Sequence, residues 1–449
     1  MKIVLFSTNS NHFDGIKFLT DEYPEVKENL SKLTKIYSDV KLSIATQLPG
    51  KFLIDYEGTE IKNKLPDVEY TILKGNDAQT IAEEIYSLRP DVVIEASFWE
   101  RPYDWLSVMD SMICRELEDK GIKTVSNSIE TCLTCFDKAI TQQKLFENKF
   151  NIAKGIYVHH NLFLCAGTKK AVKTNVYRES VLYRIQKLNF PVVIKDTCGL
   201  SSYGMEVCQT FEEVKTYLDS KRNNSDRLVE ELVQGEQFGI ELYSTKSGYK
   251  MGPLYKFTTN KWGITSPKLS VKAGPVKQEK YKLDELEATL LRLAKIFNLK
   301  GVAQFDLVFS NDKWFIIEIN PRLSGMSECS VITLGKSVQQ ILLETVLDEK
   351  KTDEENYAIS LKFEVLDKEK IEKIKNFDFI KKIIRIENLN ARQLREMGYT
   401  EIILSSKNSF NELKANLESL KKECDFLSEE EFVHSFELLD SIETNTMNL

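Results

Sequence analysis

The sequence predicts an α/β domain over residues 1–125, an α+β region over 126–350 and a small α+β segment over 351–449. Three observations carry that prediction. The first 125 residues alternate short apolar strands with helical patterns, the signature of a parallel sheet covered by helices. From about 126 to 350 the pattern changes to hairpin-like strands with intervening helices. Beyond 350, the strand-like YAISLKFEVL precedes charged helical stretches such as FNELKANLESLKKE and one further strand, YTEIILSS.

In the first domain the strand-like runs are KIVLFS, KLSIAT, VEYTIL, DVVIEA and IKTVS. Between the third and fourth, NDAQTIAEEIYSLRP spaces Ile81, Ile85 and Leu88 along one helix face, with Asn76 or Asp77 as cap and Pro90 as stop. The architecture is Rossmann-like. STNSNHFDG stands where G-x-G-x-x-G would follow the first strand, so no dinucleotide site is expected there.

At 449 residues the chain can form two or three domains of roughly 100–200 residues each. Its composition, 42% hydrophobic and 29% charged with a net charge of -7, lacks the basic stripe of a nucleic-acid binder. The lysine pairs at 381–382 and 421–422 fall in helix-like stretches of mixed charge and read as solvated faces. MKIVLFSTNSN has too short an apolar run for a signal sequence, and no eighteen uninterrupted apolar residues offer a membrane span, so a cytoplasmic protein is expected. Eight scattered cysteines are too sparse for a disulfide framework. Cys132 and Cys135 form C-x-x-C without a second pair or nearby histidine to complete a zinc shell, and an apolar helix face accounts for them. Of four histidines, His159 and His160 are adjacent and fall at a loop or strand end.

The strongest chemical signal is GVAQFDLVFSNDKWFIIEINPR. VAQFDLVF and WFIIEIN flank the polar SNDK and predict a β-hairpin. Strand alternation sends Ile317 and Ile319 to one face and Glu318, Asn320 and Arg322 to the other, and Pro321 ends regular pairing. With a three-residue turn Asp306 falls opposite Glu318, a register defined to within one residue. Like charges facing each other destabilise a ladder by a few tenths to about 1 kcal/mol, so a cation is expected between them. Two carboxylates and the amide oxygen of Asn320 are hard ligands suited to Mg2+ bound together with substrate phosphates. Arg322 offers a bidentate fork to a phosphate or carboxylate.

Phosphates need further partners. FPVVIKDTCGLSSYGMEV reads as a strand ending at Lys195, then a loop with Gly199, Ser201, Ser202 and Gly204, where small residues let backbone N–H groups approach phosphate oxygens. Met205 and Glu206 stand where a Walker loop has Lys and Ser or Thr, so the P-loop reading fails. Lys195, closing an apolar run, reaches either solvent or an anion. In RLVEELVQGEQFGIEL, a strand free at one edge could offer main-chain groups near Glu231 and Val233 to a purine and Glu236 to ribose hydroxyls; an ordinary acidic edge strand is the alternative. SIETCLTCFDKAITQQKLF is a helix candidate bearing Asp137 and Lys138.

Taken in order, Asp137–Lys138, VVIKD with its glycine loop, VEELVQGE and the hairpin from FDLVF to EINPR resemble the ATP-grasp superfamily over roughly residues 1–350. D-x(11)-E-x-N-P-R is the most specific member of the set. The resemblance implies a Rossmann-like domain followed by an ATP-grasp domain of two α+β subdomains over 126–350, with a lid at about 150–235. It implies Lys138 and Lys195 at the α- and β-phosphates of ATP, with the Gly199–Gly204 loop folded over them. Adenine is implied at the hinge of Glu230, Glu231 and Val233, ribose at Glu236, and Mg2+, or Mn2+ in its place, at Asp306, Glu318 and Asn320. LYKFTTNKWGITSPK fits the position of a mobile loop, with Lys256 or Lys261 at the γ-phosphate, and Arg322 would hold the carboxylate or its acylphosphate.

The implied chemistry is phosphorylation of a carboxylate by ATP, then attack by an amine or thiol. D-alanine ligases usually carry Arg two residues before the metal Asp and end their motif N-T-x-P-G, whereas Gln304 and NPRLSG stand here and resemble the amino-acid and dipeptide ligase branch. YVHHNLFLCAGTKKAVKTN is longer than the simplest members need and suits a lid or acceptor contact. Cys329, with no neighbour to lower its pKa, reads as packing. The expected partners are a small carboxylate and an amine, within a homodimer or a monomer. Loading of a carrier-protein thiol and non-catalytic ATP binding are the alternatives.

Overall fold

The first strand, β1 (Lys2–Ser7), sends Ile3 and Leu5 into one apolar cluster and Val4 and Phe6 into another, so both of its sides are buried. That is the pattern of a parallel strand covered on both faces. The computed structural model of the chain describes residues 1–8, 23–47, 56–57, 60–61, 67–97, 106–165, 174–198, 205–265, 270–350, 356–386, 399–407 and 409–443. After α1 (Tyr23–Ile36) come β2 (Lys41–Thr46), the short β3 (Tyr56–Glu57) and β4 (Glu60–Ile61), and β5 (Val68–Ile72). Then follow α2 (Ala78–Ser87), β6 (Val92–Glu95), α3 (Leu106–Asp119) and β7 (Lys123–Val125). The five strands expected from the sequence form one parallel sheet in the order β5-β2-β1-β6-β7. Asp77 is the α2 cap, accepting from Thr80 N at 2.8 Å, and Ile81 and Ile85 are buried as their spacing requires.

α4 (Ile129–Phe136) and α5 (Lys138–Glu147) lead to a second layer: β8 (Gly155–Val158), α6 (His160–Leu164), α7 (Val176–Ile185), β9 (Val192–Asp196), β10 (Glu206–Cys208), α8 (Phe211–Asp219) and β11 (Arg227–Glu231). These strands are antiparallel in the order β10-β9-β11-β8. Val192, Ile194 and Val229 pack with residues of α7 and α8, which leaves Val193, Lys195 and Glu230 on the other face. β11 lies between β9 and β8, so the free strand edge expected beside Glu231 does not exist.

The third unit begins with β12 (Glu236–Thr245), β13 (Gly248–Met251), β14 (Tyr255–Phe257), β15 (Lys272–Gly274), α9 (Leu283–Phe297), β16 (Val302–Ser310) and β17 (Lys313–Asn320). It continues through α10 (Ser327–Thr333), α11 (Val338–Glu344), β18 (Tyr357–Glu364), α12 (Lys368–Ile374), β19 (Ile380–Ile386), β20 (Tyr399–Ser406), α13 (Phe410–Glu423) and α14 (Glu429–Glu443). The sheet order is β17-β16-β12-β14-β15-β18-β20-β19, with β13 also paired to β12. Strands after residue 350 thus extend a sheet that starts before it, and one core containing Phe238, Leu293, Phe305, Ile359, Leu404 and Leu417 underlies both parts. β19 corrects the reading of 381–382 as a solvated helix face: IKKIIRI alternates as a strand, and Lys382 is 5% exposed with its Nζ 3.8 Å from Glu328 Oε1. Lys421 and Lys422 do lie in a helix, the last turn of α13. Ile341 and Leu342 of α11 share a cluster with Leu30 and Leu33 of α1, which fixes the first domain against the third unit. Among the described residues no helix is long and apolar enough to cross a membrane.

Candidate active site

Asn311 and Asp312, both at positive φ, join β16 to β17 in a two-residue turn, the conformation that suits the right-handed twist of a hairpin. Ser310 pairs with Lys313, a register that by itself would set Asp306 opposite Ile317. A bulge takes up Ile317, so Asp306 faces Glu318 and Gln304 faces Asn320. The expected opposition of the two carboxylates is therefore present, produced by a shorter turn and one extra residue. The bulge also corrects the side of Ile317, which was expected with Ile319 on the core face. Ile316 and Ile319 take the core, and Ile317 turns with Glu318 into a cleft.

This cleft lies between the hairpin and the polar face of the β9–β11 layer. Ala153, Val193, Leu232, Val308, Ile264 and Ile317 give it apolar walls, and Lys138, Lys195, Glu230, Asp306 and Glu318 give it charge. Local structure explains the placement of each lysine. Asp137 caps α5, accepting from Ala139 N at 2.8 Å and Ile140 N at 3.2 Å, and the backbone N–H of Lys138 donates to Thr197 O at 2.8 Å. The Lys138 ammonium then stands 2.8 Å from Glu318 Oε1. Lys195 is ion-paired with Glu230 on the neighbouring strand, and both are buried.

Burial and then the Glu318 charge push the Asp306 carboxyl up to about 6. Burial acts the same way on Glu318, but Lys138 first and then Lys195 and Arg322 outweigh it and hold that carboxyl below the usual range. Burial raises Glu230 despite the opposing charge of Lys195. Gln304 bridges Asp306 and Asn320: its Nε2 donates to Asp306 Oδ1 at 2.9 Å, and its Oε1 accepts from Asn320 Nδ2 at 2.7 Å. Asn320 thereby keeps its carbonyl oxygen away from Gln304, where it accepts from Arg322 Nη2 at 3.1 Å. Arg322 is buried and also donates to Leu323 O at 3.0 Å.

The NPRLSG turn is held from several sides. Asn127 Nδ2 donates to Pro321 O at 2.8 Å, and the fully buried Glu241 accepts from Ser324 Oγ at 3.1 Å and Ser327 Oγ at 2.6 Å. Sequence reading passed over Asn127, Glu241 and Gln304 as positioning groups. Glu241 carried a usable signal, an acid inside the apolar run FGIEL, the same kind of anomaly that marked Glu318.

Glu230, Glu231 and Val233 line the cleft as expected, with Glu231 accepting from Asn189 N at 3.0 Å. Glu236 and Lys256 do not. Along β12, Phe238 enters the core while Gln237 lines the cleft, so Glu236 belongs to the far face. There it pairs with Lys256 at 2.5 Å, and Lys256 also donates to Ser441 of α14 at 3.0 Å. Gln237 occupies the position in which Glu236 was expected. Lys261 is exposed over the Trp262 ring, 5.2 Å from its centroid, while the next residues of that loop, Gly263 and Ile264, line the cleft. Gly199, Ser201, Ser202 and Gly204 lie outside the described residues, as does part of the YVHHNLFLCAGTKKAVKTN segment.

Lys195→Ala is expected to raise the ATP concentration needed for half-saturation by roughly ten- to a hundredfold, the worth of one charge-assisted hydrogen bond. It also strands the buried Glu230 carboxylate, so stability should fall too. The double variant Lys195→Ala/Glu230→Gln should recover stability in a thermal melt without recovering affinity in a nucleotide titration. Full recovery of affinity would remove Lys195 from the phosphate site.

Comparison with known proteins agrees with this geometry. A family model described as D-ala D-ala ligase C-terminus matches residues 154–346. A D-alanine--D-alanine ligase from Pelagibacter ubique is 25% identical over 281 residues, covering 61% of this chain and 84% of that protein. A carbamoyl-phosphate synthase from Methanobrevibacter smithii is 28% identical over 152 residues, 33% of this chain and 40% of that relative, so less than half of its length is spanned. Among solved structures, an L-amino acid ligase from Bacillus licheniformis has a TM-score of 0.61 at 16% identity, covering 94% of this chain and 97% of that one. The N5-carboxyaminoimidazole ribonucleotide synthetase from Thermotoga maritima has a TM-score of 0.59 at 13% identity, covering 94% and 98%. At these identities the structures speak for the fold, and the sequence matches and the hairpin motif add lineage. Residues 154–346 are thus similar to the carboxy-terminal part of D-alanine–D-alanine ligases, and the fold of the chain is the one it shares with solved ATP-grasp ligases.

Proposed function

We propose that this protein activates a small carboxylic acid, an amino acid or a close analogue, as an acylphosphate at the expense of ATP and joins it to an amine. The observation that carries the reading is the opposition of Asp306 and Glu318 beneath a cleft that Lys138 and Lys195 also line. Phosphoryl transfer asks a protein mainly for positioning and charge neutralisation, and this set supplies both.

In this reading the apolar walls take adenine, Lys138 and Lys195 take the α- and β-phosphates, and Gln237 replaces Glu236 on the cleft side of β12. Lys261, on the loop that reaches the cleft through Gly263 and Ile264, is the lysine left to approach the γ-phosphate. Asp306, Glu318 and Asn320 fit Mg2+, or Mn2+, because they offer only oxygen donors and because two facing carboxylates favour a cation. When bound, the ion neutralises phosphate charge. A structural relative, the biotin carboxylase domain of a Hydrogenobacter thermophilus carboxylase, was crystallised with MgADP and bicarbonate.

The chemistry balances without a covalent enzyme intermediate. A substrate carboxylate oxygen bonds to the γ-phosphorus as the bond from that phosphorus to the β–γ bridging oxygen breaks, releasing ADP. The amine nitrogen then bonds to the acyl carbon, the acyl C–O bond to phosphate breaks, and the nitrogen loses a proton. Arg322 holds the carboxylate and then the acylphosphate with its planar fork. The test is a screen of amino acids singly and in pairs for phosphate release, with hydroxylamine as a surrogate acceptor that traps the activated acid. ADP, phosphate and a hydroxamate are expected; AMP with pyrophosphate would exclude the acylphosphate route.

A further inference from the structure

We propose that Lys272, set in place by Glu401 of the carboxy-terminal strands, forms with Arg322 an oxyanion-binding subsite on the acid-substrate side of the cleft. The proposal rests on the ligase reading and deepens it, because it makes the segment beyond residue 350 part of the site.

Topology brings Lys272 there. Asp306 pairs with Gly239 of β12, and a Cβ on Gly239 would meet Phe257 and Met326, so Gly239 and Phe257 share the cleft-side face. Phe257 pairs with Lys272, and Lys272 in turn pairs with Ser360 of β18. Directly opposed residues point the same way, so Lys272 stands on the face that carries Asp306. Its Nζ donates to Gly325 O at 3.2 Å, three residues beyond Arg322. The other acceptor is Glu401 Oε1 on β20, at 3.4 Å.

Those distances are long for a buried charge. The Lys272 side chain is 14% exposed and that of Glu401 6% exposed, and a desolvated ion pair offsets its cost only with close geometry. Glu401 has its short contact elsewhere: Ser360 Oγ donates to Oε1 at 2.5 Å. An ammonium has three donors, and Lys272 has two acceptors among the described residues, neither close. Glu401 therefore acts as an orienting group that keeps the ammonium charged and aimed past Gly325. The third donor is available to an anion beside Arg322. Two anions of the proposed reaction carry the matching chemistry, the carboxylate of the acid and the phosphoryl group in transfer.

The experiment uses the full-length protein as wild type, Lys272→Gln, Lys272→Arg and Glu401→Gln. Calorimetric titration with Mg·ADP comes first and is expected to give similar affinities for all four, which also shows that the variants are folded. Inorganic phosphate is then added to the Mg·ADP complex, and separately acetate is added to the complex with Mg2+ and a non-hydrolysable ATP analogue, read by saturation transfer to the acetate methyl protons. Lys272→Gln should weaken at least one of these anions tenfold or more, Glu401→Gln should weaken the same one several-fold, and Lys272→Arg should largely restore it. Loss confined to phosphate assigns the subsite to the transferred group, and loss confined to acetate assigns it to the acid substrate. Anion binding that is absent in wild type, or unchanged in Lys272→Gln, overturns the subsite while leaving the ligase reading standing. Failure of wild type to bind Mg·ADP overturns both.

Discussion

Glu318→Ala is expected to lower turnover by two to three orders of magnitude or more, the scale set by removing one preorganised electrostatic group from a water-poor site. Glu318 is placed to act on two charges at once. It faces Asp306 across the ladder, and it holds the Lys138 ammonium at 2.8 Å. Without it the proposed cation site loses one of its two carboxylates, and Lys138 loses its ion pair at the cleft. The fold should not suffer. Removing one of two facing carboxylates relieves a repulsion, and Lys138, on the first turn of α5, can swing toward solvent. A thermal melt within a few degrees of wild type, together with loss of ADP formation in a coupled assay using whichever acid the screen identifies, would establish the assignment. Turnover at the wild-type rate would defeat it.

The parts of this site that were legible in the sequence are those written in local pattern. The five parallel strands announced themselves because strands buried on both faces are continuous apolar runs, and a cap at Asn76 or Asp77 was readable from the position before Ile81 and Ile85, with Asp77 taking the role. The Asp306–Glu318 opposition was legible because each charge interrupts a run that otherwise belongs to a core. The bulge at Ile317 was not, since alternation counts residues and cannot see one that is skipped. Glu236 and Lys256 were misplaced for a related reason: each sits in a motif-like stretch, but its face is decided by Phe238, two residues along from Glu236 and directly across the ladder from Lys256. Lys272 and Glu401 lie 129 positions apart, and only the pairing of β15 with β18 and of β18 with β20 brings them together. No local pattern records such a contact.

Asp306→Asn is expected to abolish turnover and yet to raise the thermal stability of the ligand-free protein at neutral pH. Burial, reinforced by the facing Glu318, lifts the Asp306 carboxyl to about 6 in the folded chain, against roughly 3.9 for an unperturbed aspartate. Between those values the native state holds a proton that the unfolded state has released, so native stability falls as pH rises from about 4 to 6. Above the folded pKa the loss is complete, at most about 3 kcal/mol for a shift of this size. Asparagine keeps the shape and an oxygen that can still accept from Gln304 Nε2, but it has no proton to lose. In chelator, its melting temperature should therefore exceed that of wild type by a few degrees at pH 7.5, and that excess should shrink to about half at pH 5. Adding Mg·ATP at pH 7.5 should reverse the order, because a cation between Asp306 and Glu318 removes the repulsion in wild type and finds one carboxylate fewer in the variant. A variant destabilised equally at both pH values would mean that Asp306 serves the fold, and that the opposed carboxylates are not held in readiness for a cation. On this reading the burial of Asp306, and after it the charge of Glu318, lower stability in the empty protein, and both favour a cation bound there.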